Sequence, residues 1–213
     1  MNNKILDRNY IEIVGELADN ASTFINQASG TEYVDTSIIT YRYSNKVYER
    51  EEFALTMPVD LFNYLVNRSN TRTPRVLIRG EIRTYSFIQD GKSHLKIIIF
   101  CKDAELTELT SEFDSCEVHL GGTICKIKQS RKTPKGKTIC DCVIANNYSK
   151  HGTAYIPSIS WGKLAEIFET KPVGTKISSV GELHARPYKK IINNEECTLV
   201  AYEYSINDCM FFQ

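Results

Sequence analysis

At 213 residues the chain is long enough for one or two domains, each with a core of its own. Hydrophobic residues make up 42%, charged residues 24% and aromatics 10%, which is the composition of a folded chain rather than a disordered one. Lys plus Arg and Asp plus Glu both number 26, so the formal net charge is zero. That excludes a uniformly basic protein but not a local basic field.

Most predicted elements are strands. Tyr10–Leu17, Thr36–Tyr43, Phe53–Val59, Val76–Phe87 and Leu95–Phe100 are rich in Ile, Val, Tyr, Phe and Thr. A turn through Gln89, Asp90, Gly91 and Lys92 joins the last two. One helix interrupts the series, with Asp60 as its expected cap and Leu61, Phe62, Leu65 and Val66 as its apolar stripe. The second half repeats this order. Val118–Ser130 and Thr138–Asn147 flank a turn at Thr133–Gly136, and Tyr155–Trp161 is the third strand. A short helix over Lys163–Phe168 turns Leu164, Ile167 and Phe168 inward. Lys176–Ala185 and Cys197–Ser205 then close the set around a loop at Asn193 and Asn194.

The halves also match in detail. Val14-Gly15 answers Leu120-Gly121, Met57-Pro58 answers Ile156-Pro157, and Ile78–Ile82 answers Ser179–Leu183, at offsets of 106, 99 and 101. Glycines at matched strand positions fit the sharp curvature of a small closed barrel. Five strands with a helix between the third and fourth is the order of the oligonucleotide-binding fold, a five-stranded Greek-key barrel. The expectation is an all-β chain with two such barrels in tandem, over residues 1–103 and 116–213. A linker over 104–115 is expected to be helical, with Leu106, Leu109 and Phe113 at helical spacing.

No signal peptide and no long apolar run is visible, so neither secretion nor membrane spanning is expected. An odd number of cysteines, 7, at irregular spacing points to reduced thiols and a cytoplasmic location. The four His residues lack ligand spacing, so no metal is expected.

The zero net charge hides local excesses. Lys126, Lys128, Arg131, Lys132, Lys135, Lys137, Lys150 and Lys163 face Asp141 alone between Val118 and Ala165, mostly on one hairpin. In the first half, Arg68, Arg72, Arg75, Arg79 and Arg83 face only Glu81. A basic hairpin projecting from a barrel can follow a phosphate backbone; it can also be a solvated edge whose lysines prevent strand pairing.

Aromatic residues add to this. Tyr155, Ile159 and Trp161 share strand parity, but Ile156, Ser158 and Ser160 are equally mixed, so periodicity leaves the core face of this strand open. If Tyr155 and Trp161 point outward they form a stacking platform for unpaired bases. Tyr148 lies just before that strand, and Tyr188 near the fourth could extend the path. In the first half the candidates are Tyr41, Arg42, Tyr43, Phe53, Arg79, Arg83 and Tyr85. Trp161 has its match near Val59, which is not aromatic, so the first barrel is expected to bind more weakly or to support assembly.

At this point the second half resembles bacterial single-stranded DNA-binding proteins. The resemblance rests on Leu120–Thr123, the Arg131–Gly136 hairpin, Ile144–Asn147, Tyr155–Glu166, Val173–Lys176 and Val180–Leu183. It covers about residues 116–207 and, more faintly, 9–105. It implies that Tyr155 and Trp161 fall on stacking positions, with Tyr148 close to another, and that the basic hairpin is a DNA-embracing loop. It further implies single-stranded DNA as partner, with replication or recombination proteins beside it. The family's usual single-barrel chains form tetramers; two barrels in one chain favour a homo-dimer over a monomer. Its acidic tip has no counterpart in Tyr204–Gln213, whose apolar end is expected to pack on a barrel or a neighbouring subunit.

No catalytic motif appears, and no enzyme activity or cofactor is expected. Two rival readings remain. One is a protein-interaction module of the primosome-adaptor kind, with aromatics in an interface and weak DNA binding. The other is RNA binding, since nothing in the sequence tests for a 2′-hydroxyl.

Overall fold

The computed structural model describes residues 8–212 except 45, 90, 109, 111–113, 150, 151, 193 and 194. Asp90, Leu109, Phe113, Lys150, Asn193 and Asn194, all named above, therefore lie outside the described residues. The chain divides into two compact units, Tyr10–Glu117 and Val118–Gln213, the second taking in Met1–Asn9.

The first unit contains β1 (Asn9–Leu17), β2 (Ser22–Ile25), β3 (Glu32–Ser44), β4 (Val47–Pro58), α1 (Val59–Arg68), β5 (Arg75–Gln89) and β6 (Lys92–Leu106). β1 pairs with both β5 and β3, β3 with β4, and β5 with β6, all antiparallel. A short parallel pairing of β4 with β6, Leu55 to Ile99 and Thr56 to Phe100, closes the ring. The expected five-stranded barrel is present. Because no strand edge is left open around it, its inner face can be wholly apolar.

The second unit repeats the plan with β7 (Cys116–Ile127), β8 (Arg131–Lys132), β9 (Thr138–Ser149), β10 (Gly152–Trp161), α2 (Lys163–Glu169), β11 (Lys176–Ile192) and β12 (Glu195–Phe212). The parallel closure joins β10 to β12, pairing Ile159 with Ser205. Phe211 lies in β12, and its ring meets Phe168 of α2 edge-on at 5.1 Å, so the apolar end packs on its own barrel. Arg8 belongs here too: its carbonyl accepts from Gly121 N at 2.6 Å and Asn146 Nδ2 at 3.2 Å.

Several expectations change. β6, β11 and β12 run well past their predicted ends, β5 by only one or two residues, as paired arms where polar residues break the apolar signal. The linker helix is absent from the described residues. Asp103–Leu106 continue β6, and the following backbone is held by Arg75, whose carbonyl accepts from Thr107 N and whose guanidinium reaches Thr110 O and Asp114. Those polar ties hold Thr107, Thr110 and Asp114, where the expectation was a helical ladder. Asp60 is not the cap of α1 but its second residue; Pro58 is the cap, with no side-chain bond. In α2 the buried residues are Ala165 and Phe168, whereas Ile167 is exposed, because the stripe is set one position away from the predicted one.

The repeat is corrected in two places. Gly122, not Gly121, answers Gly15: a side chain at either would strike a backbone carbonyl, of Ala145 and Ile39 respectively. Pro58 caps a helix while Pro157 lies mid-strand, so the Met57-Pro58 match is one of letters only. Gly80 and Gly181 do correspond, each sitting at a register shift where the partner strand presses against the glycine.

Candidate nucleic-acid interface

The two faces of β10 are now distinguishable. Ala154, Ile156, Ser158 and Ser160 are buried, together with their β9 neighbours Asn146, Ile144, Cys142 and Cys140. Two serines are tolerated in this core because their hydroxyls donate to backbone carbonyls, Ser158 to Ile156 at 3.0 Å and Ser160 to Cys140 at 3.4 Å. Tyr155, Pro157 and Trp161 therefore take the opposite face, which they share with Ile159, itself buried.

Trp161 is 37% exposed and Tyr155 50%. The Trp161 indole N–H donates to Ser205 Oγ at 3.0 Å, which fixes the ring while leaving part of its surface open. Tyr148 is half-buried, its ring lying against Gly152 across the β9–β10 turn, where a side chain would collide with it. Tyr188 is 44% exposed. Counting from Ser205 opposite Glu182 to Leu199 opposite Tyr188, the register carries Tyr188 on the same sheet face as Ser205.

The basic hairpin borders this face. Arg131 is opposite Ile139, which is opposite Trp161, so the three form one cross-strand row. Lys126 is brought opposite Val143 by a bulge after Ile124. The tip is a defined turn: Thr133 N donates to Lys137 O and Gly136 N to Thr133 O, each at 2.8 Å, with Gly136 at φ 78°. Glu169 of α2 clamps the base, accepting from Ser130 N and Oγ at 3.2 and 2.5 Å. Arg131 is ion-paired with Asp141 at 3.1 Å. Lys126, Lys128, Lys132, Lys135 and Lys137 are exposed and form no ion pair with a described carboxylate. Lys163, the first residue of α2, is exposed beside Trp161.

The first-unit candidates separate into three groups. Phe53 is removed from the interface: it is 1% exposed and faces Ile38 inside the barrel. Arg42 and Arg79 are held by acids. Arg42 meets Glu49 at 2.6 Å and Glu51 at 3.7 Å; Arg79 meets Glu12, Asp103 and Glu105 at 2.9–3.1 Å. Those three carboxylates, Glu105 first, hold the Arg79 guanidinium still more firmly protonated than usual. Tyr41 is half-buried and its N–H donates to Asp114, whereas Tyr43 is 63% exposed with its ring 5.0 Å from Tyr48.

Arg83 and Tyr85 belong to a third group. They line a groove of about 260 Å³ with Phe24, Tyr33, Lys96 and Phe100. Phe24 stacks on Tyr33 at 5.8 Å and 25°, Tyr33 meets Phe100 at 5.5 Å, and the Arg83 guanidinium lies 3.4 Å above the Phe100 ring. Phe24, Tyr33, Lys96 and Phe100 were not singled out from sequence. The signal that finds them is the repeat carried through the closure register: Thr56 beside Phe100 corresponds to Ile159 beside Ser205. By that register Trp161 corresponds to Pro58 rather than Val59, and Phe24 stands where the second unit has Arg131. The first face is thus as aromatic as the second, with its rings on different strands. It lacks the basic hairpin, since Ala18–Thr31 contains no Lys or Arg.

No protein-family model matches the sequence, and no curated protein does either. Among solved structures, the wild-type single-stranded DNA-binding protein from Thermus aquaticus is similar with a TM-score of 0.73, at 13% identity over 97% of this chain and 93% of that one. A deletion mutant of that protein gives 0.71, at 12% identity over 95% and 93%. The chain therefore has the fold of a two-barrel protein of this kind.

Proposed function

We propose that this protein binds single-stranded DNA with little sequence preference, stacking bases on its aromatic faces and holding phosphates with hairpin lysines. The observation that carries the reading is Trp161: outward, part-exposed, anchored by Ser205 and bordered by exposed lysines. Stacking accepts any base face, so the predicted selectivity is for unpaired strands rather than for sequence. The Thermus protein, whose name states single-stranded DNA binding, lends the same reading through its fold. On this reading the chain acts by binding alone, without catalysis, in replication, recombination or repair, and two chains together present four barrels. No helix among the described residues is long and apolar enough to cross a membrane.

Trp161 is the sole tryptophan, so its fluorescence reports on the second barrel directly. Adding poly-dT quenches it. Trp161→Ala combined with Tyr155→Ala weakens binding of a labelled oligo-dT by about 2–6 kcal/mol, since each of the two stacked bases contributes roughly 1–3 kcal/mol. Duplex DNA and RNA of equal length serve as competitors. Preferred binding of RNA, or an unchanged affinity in the double variant, would overturn the reading.

A further inference from the structure

The groove of the first unit contains a carboxylate where a surface that binds phosphates should avoid one. Asp35 of β3 lies on the same face as Tyr33, two residues away, and lines the groove with it. Its counterpart in the second unit, Asp141, is neutralised by Arg131 at 3.1 Å. Asp35 has no such partner, because Phe24 stands in the arginine's place, and it forms no ion pair with a described residue. Its hydrogen bond is local: the Thr56 hydroxyl donates to Asp35 Oδ1 at 2.5 Å, which orients the carboxylate and leaves Oδ2 to accept. Asn26, also at the groove, uses its carbonyl oxygen on Ala28 N and Ser29 N, so its amide N–H groups remain available as donors.

A negative charge held beside stacked rings suits a base edge, not a phosphate. The exocyclic amino groups of cytosine, adenine and guanine donate to a carboxylate; thymine presents carbonyl oxygens at the matching position. We propose that this groove is a base-reading subsite, in which Asp35 accepts from the amino group of a base stacked against Tyr33 and Phe24. The inference rests on the single-stranded DNA reading above and sharpens it. The first barrel selects amino-bearing bases over thymine at one position, while Lys96 at the same groove meets the adjoining backbone.

The test compares labelled oligo-dC and oligo-dT at slightly alkaline pH and high salt, where lysine contacts in the second unit are screened. Asp35→Ala lowers affinity for oligo-dC about tenfold, the loss of one hydrogen bond to a charged acceptor, and leaves oligo-dT unchanged. Asp35→Asn keeps an oxygen to accept from Thr56 and adds a donor, so it moves the preference toward thymine. If both oligonucleotides bind but neither variant alters their ratio, the subsite is overturned and strand binding stands. If the wild-type chain binds neither oligonucleotide at any salt concentration, both readings fall together.

Discussion

Alanine at Lys126, Lys128, Lys132, Lys135 and Lys137 flattens the salt dependence of single-stranded DNA binding. Each phosphate neutralised on a single strand contributes about 0.7 to the slope of log K against log salt, so five lysines account for about 3.5. Between roughly 50 and 200 mM salt that is about a hundredfold of affinity, which the variant neither has nor loses. The effect is this large because the five side chains are exposed and carry no described counter-charge. Arg131→Ala, by contrast, changes the slope little, since its charge faces Asp141 at 3.1 Å. Exposed lysines on a hairpin cost little stability when removed, typically within about 0.5 kcal/mol each, so the fold is retained. Titrations at four or five salt concentrations measure the slope, and an equal slope in wild type and variant would show that the lysines are solvated bystanders.

The same contrast explains how a chain with zero net charge carries a phosphate-binding edge. In the first unit five arginines and one lysine sit against acids: Arg42 with Glu49, Arg50 with Glu52, Arg75 with Asp114 and Glu16, Arg79 with three carboxylates, Arg83 and Lys102 with Glu81. Those pairs hold strands in register and cancel one another's field. The hairpin lysines lack that cancellation. Net charge is the sum over both populations, but phosphate responds only to the second. The two faces then differ in kind: one adds counterion release to stacking, the other combines stacking with a carboxylate that suits base edges.

How far the sequence reaches is visible in particular residues. The barrels were legible because Gly80 and Gly181 recur in the same frame, each followed by an acid and an apolar residue, Glu81-Ile82 and Glu182-Leu183. The hairpin was legible because Pro134 and Gly136 punctuate a lysine run. The core face of β10 was not, because Ser158 and Ser160 become core residues only through hydroxyl bonds to carbonyls that a pattern of letters does not encode. Phe53 looked like one more surface aromatic until its pairing with Ile38 turned it inward. The groove was hidden for a topological reason. Phe24 lies on a four-residue exposed strand, and Phe100 reaches it only through the parallel closure of β4 on β6, between segments more than forty residues apart. Local periodicity is blind to contacts of that range. Burial also explains thiols that sequence could only count: Cys101 lies inside the first barrel and its thiol is pushed up to about 12 by desolvation, which keeps it protonated and inert.

Gly181→Ala is the substitution expected to damage the second barrel most for the fewest atoms added. A methyl at this position would overlap the Ser205 carbonyl oxygen and lie 2.9 Å from Tyr204 Cε2. Neither neighbour can yield easily. Tyr204 is fully buried, its hydroxyl donating to Ser179 Oγ at 3.1 Å, and Ser179 in turn donates to Leu120 O at 3.0 Å. Ser205 belongs to the β10–β12 closure and carries the Trp161 indole. The methyl must therefore push β12 away from the bulge at Val180/Gly181, at a cost of about 3 kcal/mol, the upper part of the range for overpacking. Gly136→Ala is the control. It has open space around it and only its φ of 78° to penalise a side chain, about 1 kcal/mol. Denaturant unfolding followed through Trp161 fluorescence separates the two, because the indole N–H donates to Ser205 of β12, the strand that must move. Weaker single-stranded DNA binding at temperatures where Gly181→Ala is still folded would show that the displaced Ser205 no longer holds the platform. Equal unfolding midpoints for the two variants would mean that the close approach of β11 and β12 is not what the glycine is there to permit.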